Sequence, residues 1–286
     1  MEAWMIYLTA LGALLALAAN SVLIRLAVVD YGADPAAFAV VRVATGAVVL
    51  MMIALLQKRG AWPTKARSFA GAVCLAGYIV GFSLAYRTLD AGFGALLLFG
   101  WVQITIFATV VSRGNRPSVF QWIGAIVAFF GLVWLLKPSS DLGTLSVIDL
   151  MLMSFAGMSW GFYTLLGRGA GDPVRVNAMS FALCLLFVLP LMMVGNGALS
   201  GPALMLAMVS GGITSGLGYA LWYRIVAVID PALAGVGQLM VPVLASLGGL
   251  VWINEPITVQ WLIGAALVLG GIGLSIAPQI IAKRRL

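Results

Sequence analysis

A handful of side chains stand where an apolar chain has no structural need of them. Trp101 and Gln103 fall about ten residues into a long apolar run, near its mid-depth. Trp160 and Tyr163 are three apart and so share one helix face. Tyr78 and Phe82, four apart, do the same in another run. Asn20, Gln103 and Gln238 are amides in mid-run, where an unpaired polar group is costly. Rings can face an ammonium group by cation–π attraction. Amides can hold a carboxylate without a formal charge. This set therefore suits a small zwitterion with an apolar side chain. Each residue also has a plainer reading: Asn20 bonding a neighbouring helix, the aromatic stripes filling a core.

What the chain lacks narrows the chemistry. It has no histidine. Asp30, Asp34, Asp90, Asp141, Asp149, Asp172, Asp230 and Glu255 all fall at or near run ends, so no carboxylate is expected in mid-run. A carrier exchanging cationic drugs for protons needs such a carboxylate. General acid–base catalysis has few groups to use. No Gly-x-x-x-x-Gly-Lys-Ser/Thr stretch is present to cradle a nucleotide phosphate. Cys74 and Cys184 lie inside apolar runs, with no disulfide or metal spacing. The expectation is a protein that is not an enzyme and uses no cofactor or metal. Arg42 is the basic residue inside a run, and it is expected to pair with Asp34 or to reach for the interface.

The elements that position these residues follow from the solvent. Hydrophobic residues make up 63% of the 286, and charged residues 9%. A soluble domain carries about 25% charged residues. Lipid is the solvent that suits this composition, and a bilayer crossing takes about 20 apolar residues. Ten runs meet that length: about 3–29, 35–56, 68–87, 91–112, 117–136, 147–167, 175–194, 202–224, 231–252 and 257–277. The first is too long for a signal-peptide core and has no basic leader, so a membrane span is expected there. With the N-terminus inside, Lys58, Arg59, Lys65, Arg67, Arg113, Arg116, Arg168, Arg175, Arg224, Lys283, Arg284 and Arg285 are cytoplasmic. Arg25, Arg87 and Lys137 are left outside. This bias predicts that both termini are cytoplasmic. The net charge of +7 is read as a topology signal, with no nucleic-acid partner.

The chain also repeats itself. Pro117-Ser118-Val119-Phe120-Gln121-Trp122 is answered by Pro256-Ile257-Thr258-Val259-Gln260-Trp261, each opening the last run of its half. A proline at the first turn of a helix loses nothing, so each phrase is read as a helix start. Ala33-Asp34-Pro35 answers Gly171-Asp172-Pro173, Tyr86-Arg87 answers Tyr223-Arg224, and Asp90 answers Asp230. Five runs per half is an odd number, so the second copy must enter from the opposite side. The expected fold is an all-α polytopic membrane protein of ten transmembrane helices in two five-helix inverted repeats, 1–138 and 139–286. Gly77/Gly81, Gly157/Gly161 and Gly212/Gly216 are read as close-packing pairs. Pro190 and Pro242 are read as kinks.

With Trp160-Gly161, Arg42 and Glu255-Pro256 at their places in this plan, the chain resembles the drug/metabolite transporter superfamily, in its ten-helix EamA-type branch. Within that branch it is most similar to bacterial aromatic amino-acid exporters. The resemblance implies a multi-pass protein of the bacterial inner membrane that exports amino acids, aromatic ones included, by alternating access. The cavity residues are then Trp101, Trp160, Tyr163, Tyr78, Phe82, Asn20, Gln103 and Gln238. The alternative is export of drugs or other metabolites by the same fold. Ten spans complete a pathway in one chain, so a monomer is expected, with the amino-acid substrate and the bilayer as its partners.

Overall fold

The computed structural model describes residues 3–57, 60–85, 89, 91–136, 146–169, 171–193, 195–253 and 258–283. Several sequence landmarks lie outside them: Tyr86, Arg87, Asp90, Glu255, Pro256 and Ile257, and the basic residues Lys58, Arg59, Lys137, Arg284 and Arg285. Among the described residues every regular element is helical. The helices form ten rods. α1 (Ala3–Arg25) continues as a π-helical turn, Leu26–Asp30. Then come α2 (Pro35–Leu56), α3 (Lys65–Ala85), α4 (Ala91–Ser112), α5 (Val119–Leu136) and α6 (Val147–Leu166). α7 (Pro173–Val188) ends in a 3-10 turn, Leu189–Met193. α8 (Gly201–Val209), the π-helix Ser210–Leu217 and α9 (Gly218–Val226) make one unbroken rod. α10 (Pro231–Gln238) and α11 (Met240–Ile253) make another, and α12 (Val259–Lys283) is the last.

Among the described residues seven stretches are long and apolar enough to cross a membrane: Trp4–Asp30, Pro35–Leu56, Lys65–Ala85, Pro173–Met193, Gly201–Val226, Pro231–Gly248 and Val259–Ala277. Leu96–Ser112 and Val119–Leu135 are shorter apolar helices. α6 is the polar one, because it carries Asp149, Ser159, Trp160, Tyr163 and Thr164, and all but the first of these are buried.

Local chemistry explains the rod starts. Asp34, Asp172 and Asp230 each cap a helix whose next residue is proline. The carboxylate accepts orphan N–H groups, and the proline has none to lose. At the repeated phrase the device differs from the expected one. α5 begins two residues beyond Pro117, and Ser118 starts it. Ser118 Oγ accepts from Gln121 N–H at 3.2 Å and Ser118 N–H donates to Gln121 Oε1 at 2.7 Å, a capping box. In the second copy Thr258 Oγ1 accepts from Trp261 N–H at 3.1 Å. The phrase recurs because a hydroxyl cap is needed three residues before the tryptophan position or its neighbour. Proline merely precedes it. Pro190 falls in the 3-10 turn closing the seventh rod, and Pro242 follows the break at Leu239. Lacking an N–H, Pro242 leaves the Gln238 carbonyl without its usual donor.

The surface is apolar. Val48, Phe130 and Leu186 are each about two-thirds exposed. Hydrocarbon tails make such a surface unremarkable, and they also remove the drive that buries leucine in water. The rods are held instead by close backbone approach. A Cβ at Gly81 would fall 2.5 Å from Leu152 O of α6, and one at Gly157 would fall 2.5 Å from Leu98 O of α4. Gly161 meets Thr105, and Gly212 meets Val49. All three glycine pairs therefore sit at helix contacts. The closest-knit interface joins α5 to α12. Gly124 abuts Gly271, and Gly131 abuts Gly264. An early glycine on each helix meets a late one on the other, so the two helices run antiparallel. Adding a methyl group at Gly271 sets it 2.6 Å from Ala128 N, whereas at Gly273 it meets nothing within 4 Å. Gly271→Ala should destabilise the protein by about 1–3 kcal/mol. Gly273→Ala should be neutral, and thermal unfolding in detergent compares the two.

Candidate functional site

Arg42 lies about 12 Å along α2 from its cap, and it is 1% exposed. It does not pair with Asp34. That carboxylate is committed to its own helix end, accepting from Ala36 N–H at 3.0 Å and from Gly197 N–H at 2.8 Å. Nor does Arg42 reach an interface. It points inward, where Nε donates to Ser215 Oγ at 2.7 Å and Nη2 donates to Tyr219 OH at 2.6 Å and Tyr78 OH at 3.4 Å. Its guanidinium carbon stands 5.7 Å from the Tyr78 ring centroid.

The π-helix Ser210–Leu217 supplies the facing hydroxyls. Its i→i+5 winding turns Ser210, Thr214 and Ser215 to one side together. All three donate to Asn20 Oδ1, at 2.7, 2.6 and 3.1 Å. Gly211 makes the position attainable, since its missing side chain leaves room for Thr45 and the Arg42 carbonyl of α2. A continuous chain of bonds thus runs from Arg42 through Ser215 to Asn20, joining α2, the π-helix and α1.

Beside it the rings form one cluster. Trp160 lies 4.9 Å from Tyr78, 4.7 Å from Tyr219 and 5.6 Å from Tyr163, centroid to centroid. Tyr78 also meets Phe82 at 5.3 Å, and Tyr163 meets Tyr223 at 5.0 Å. Polar tips are fixed as well. Trp160 Nε1 donates to Gln238 Oε1 at 2.6 Å, and Tyr163 OH donates to Asn177 Oδ1 at 2.7 Å. Tyr223 OH donates to the Tyr163 carbonyl at 2.8 Å.

Six of the residues picked from sequence therefore meet in one network: Tyr78, Phe82, Trp160, Tyr163, Asn20 and Gln238. The other two stand apart. Trp101 is half-buried, with its Cβ where Gly157 would carry one, and it has no ring contact with the cluster among the described residues. Gln103 is buried beside Gly235 with neither Oε1 nor Nε2 hydrogen-bonded among the described residues. Ser210, Thr214, Ser215, Asn177 and the inward aim of Arg42 were not foreseen. Tyr219 joins them through its bond from Arg42 and its contact with the Trp160 ring. A run of Ser, Thr and Gly in the middle of an apolar rod was the available signal, and it had been read for packing alone. Rings, hydroxyls and N–H donors dominate the network. Groups of this kind can bind and orient a small solute. Among the described residues no cluster of three or more His, Cys, Asp or Glu could hold a metal ion.

An all-helical, apolar-surfaced bundle with a buried polar network is the anatomy of a multi-pass membrane carrier. The chain belongs to the EamA-like transporter family, whose model matches it twice, over residues 4–137 and 148–277. It is 41% identical over 270 residues to the Pseudomonas aeruginosa protein PA1977, covering 94% of this chain and 93% of that one. It is 26% identical over 207 residues to the threonine/homoserine exporter RhtA of Escherichia coli K12, covering 70% and 68%. A solved crystal structure shares the fold with a TM-score of 0.80 at 20% identity, over 93% of this chain and 97% of that one.

Asn20→Ala would strip the shared acceptor from three buried hydroxyls. The expected loss is about 1–2 kcal/mol of stability, since the hydroxyls can fall back on backbone carbonyls. Thermal unfolding of the purified variant measures it.

Proposed function

We propose that this chain is an amino-acid exporter of the bacterial inner membrane, aromatic substrates included, that works by alternating access. The observation that carries the reading is the central network itself: ring faces and hydrogen-bond donors drawn from both halves of the chain and buried mid-rod. Family membership supports transport. The RhtA relatives, exporters of threonine and homoserine by name, support amino acids as the cargo class.

The mechanism rests on a two-fold relation between residues 1–138 and 139–286. Helix contacts favour it. α3 packs on α6 and α7, while α9 packs on α1 and the π-helix Ser210–Leu217 packs on α2. Likewise α4 meets α6, and α11 meets α1. Each contact turns into the other when the first five rods are exchanged for the last five. α5 against α12 and α2 against α7 map onto themselves. Antiparallel pairing of α5 with α12 is what inverted copies require. Inverted halves can trade conformations, which gives two access states of similar energy.

Connections gather at two ends. Arg175 Nη2 donates to the Gln57 carbonyl at 2.7 Å, Arg67 Nη1 to the Arg168 carbonyl at 3.4 Å, and Arg168 to the Val226 and Ile229 carbonyls. Gln121 Nε2 donates to Asp230 Oδ1 at 2.8 Å. We assign this arginine-rich end, with both termini, to the cytoplasm. Asp34 and Gly197 then mark the outer end. The protein works as a monomer of ten spans. With no mid-rod carboxylate to carry a proton, it runs as a facilitator down the substrate gradient.

Single cysteines at Ala61 and Asn115 should react with an impermeant reagent only from the cytoplasmic side, and those at Tyr31 and Asn196 only from outside. The fully reversed pattern would overturn the cytoplasmic assignment, and a mixed pattern the ten-span topology. Proteoliposomes loaded with labelled phenylalanine, threonine or homoserine should release them at the same rate with and without a pH gradient. Release of none of them would dismiss the amino-acid reading in favour of other metabolites, and dependence on the gradient would dismiss the facilitator.

A further inference from the structure

We infer that Arg42, seconded by Asn20, is the seat of the substrate's carboxylate, so that the protein selects solutes bearing that group. This deepens the amino-acid reading above and rests on it. The network has too many donors for its acceptors. Arg42 offers five N–H groups. Nε is taken by Ser215, and Nη2 is taken by Tyr219 and Tyr78. Nη1 has no hydrogen bond among the described residues. Asn20 Nδ2 is buried and likewise unbonded, because its amide oxygen is the atom that meets the three hydroxyls. Ser215 Oγ ties the two side chains together, at 2.7 Å from Arg42 Nε and 3.1 Å from Asn20 Oδ1, so the two unbonded donors belong to one hydrogen-bonded chain.

Among the described residues no carboxylate lies within ion-pair distance of the guanidinium. Among the described residues the ion pair present is Arg175 with Asp172, at 3.9 Å. Asp34, Asp172 and Asp230 are engaged in capping at rod ends. Hydroxyl groups soften the charge of Arg42 but do not neutralise it. A lone cation at membrane mid-depth is expensive and is kept where a pathway needs it. A planar fork of N–H donors matches a carboxylate in two-pronged geometry. The long 3.4 Å bond to Tyr78 is the one an arriving carboxylate would replace. Its neighbours Trp160 and Tyr219 then offer ring faces to the side chain and the ammonium group. From the sequence, amides can hold the carboxylate without a formal charge. The burial of Arg42 within the network changes that account.

The test compares acids with their amides. Proteoliposomes loaded with labelled phenylalanine or phenylalaninamide are followed for release, using the native chain, Arg42→Lys and Arg42→Gln. The native chain should favour the acid by about tenfold or more. Arg42→Gln should lower acid release about tenfold and bring acid and amide to parity, while Arg42→Lys should keep part of the preference. Parity in the native chain, or an unchanged ratio in Arg42→Gln, overturns the inference and leaves amino-acid export standing. If Arg42→Gln fails to fold, the native ratio decides alone. If the native chain releases no amino acid, the cargo assignment falls, and a separate readout judges the site. Phenylpropionate and phenylpropionamide are then tested for protection of the purified protein against thermal unfolding. Protection by the acid alone upholds the carboxylate seat; equal protection, or none, removes it.

Discussion

Hydrocarbon offers a helix no reward for hiding leucine and no partner for a bare polar group. These two facts govern the molecule. Cohesion must come from surfaces that fit closely enough for dispersion and polar contacts to act. That is why glycines recur where rods cross: Gly81 against the α6 backbone, Gly157 against α4, and the reciprocal pairs that join α5 to α12. It is also why polar side chains turn inward. Asn177, Ser215 and Gln238 are fully buried while Val48 and Phe130 face out. The core is still mostly apolar, as Phe38, Leu50, Ile79 and Phe181 show, and it is the surface that departs from a soluble protein because the solvent does.

Function is built from the same constraint. A polar group with no water to turn to must find its partners across helices, so the bonds that satisfy it also tie the two halves together. Asn20 of the first half meets three hydroxyls of the second, and Arg42 of the first meets Ser215 and Tyr219 of the second. These bonds lie on the line where two rocking halves would have to part. A network that leaves donors unmatched is a poor permanent clasp and a good temporary one. A solute that brings the missing acceptors can take the place of bonds lost when the halves separate. On the alternating-access proposal, binding and conformational change are coupled through one small set of atoms.

Two irregularities give the network its shape. α-Helical winding would keep residues 210 and 214 on one face and turn 215 away, and the π-helix brings 215 round to join them. The break at Leu239 ends α10 just after Gln238, whose side chain accepts from Trp160. Both departures occur beside the polar centre, where side-chain bonds make up for backbone bonds strained or lost.

The amino-acid sequence by itself pointed to the solvent, to a chain of apolar helices, to the glycine contacts and to an internal echo between halves. All of these depend on local composition or on short spacings, and a lipid environment forces such features to show. Asp34-Pro35 and Asp172-Pro173 announce helix starts because capping involves only neighbours in the chain. The aromatic members of the cluster were legible too, since Tyr78 and Phe82, or Trp160 and Tyr163, share a face by helical period. Tertiary structure alone decided what Arg42 touches. Its partners lie 173 and 177 residues away in the chain. No spacing rule reaches that far, and a nearby Asp34 offered a more obvious but mistaken match. Trp101 and Gln103 carried the same mid-run signature as Trp160, yet they stand outside the cluster, because depth along a rod is written in sequence and the direction a side chain faces relative to other rods is not.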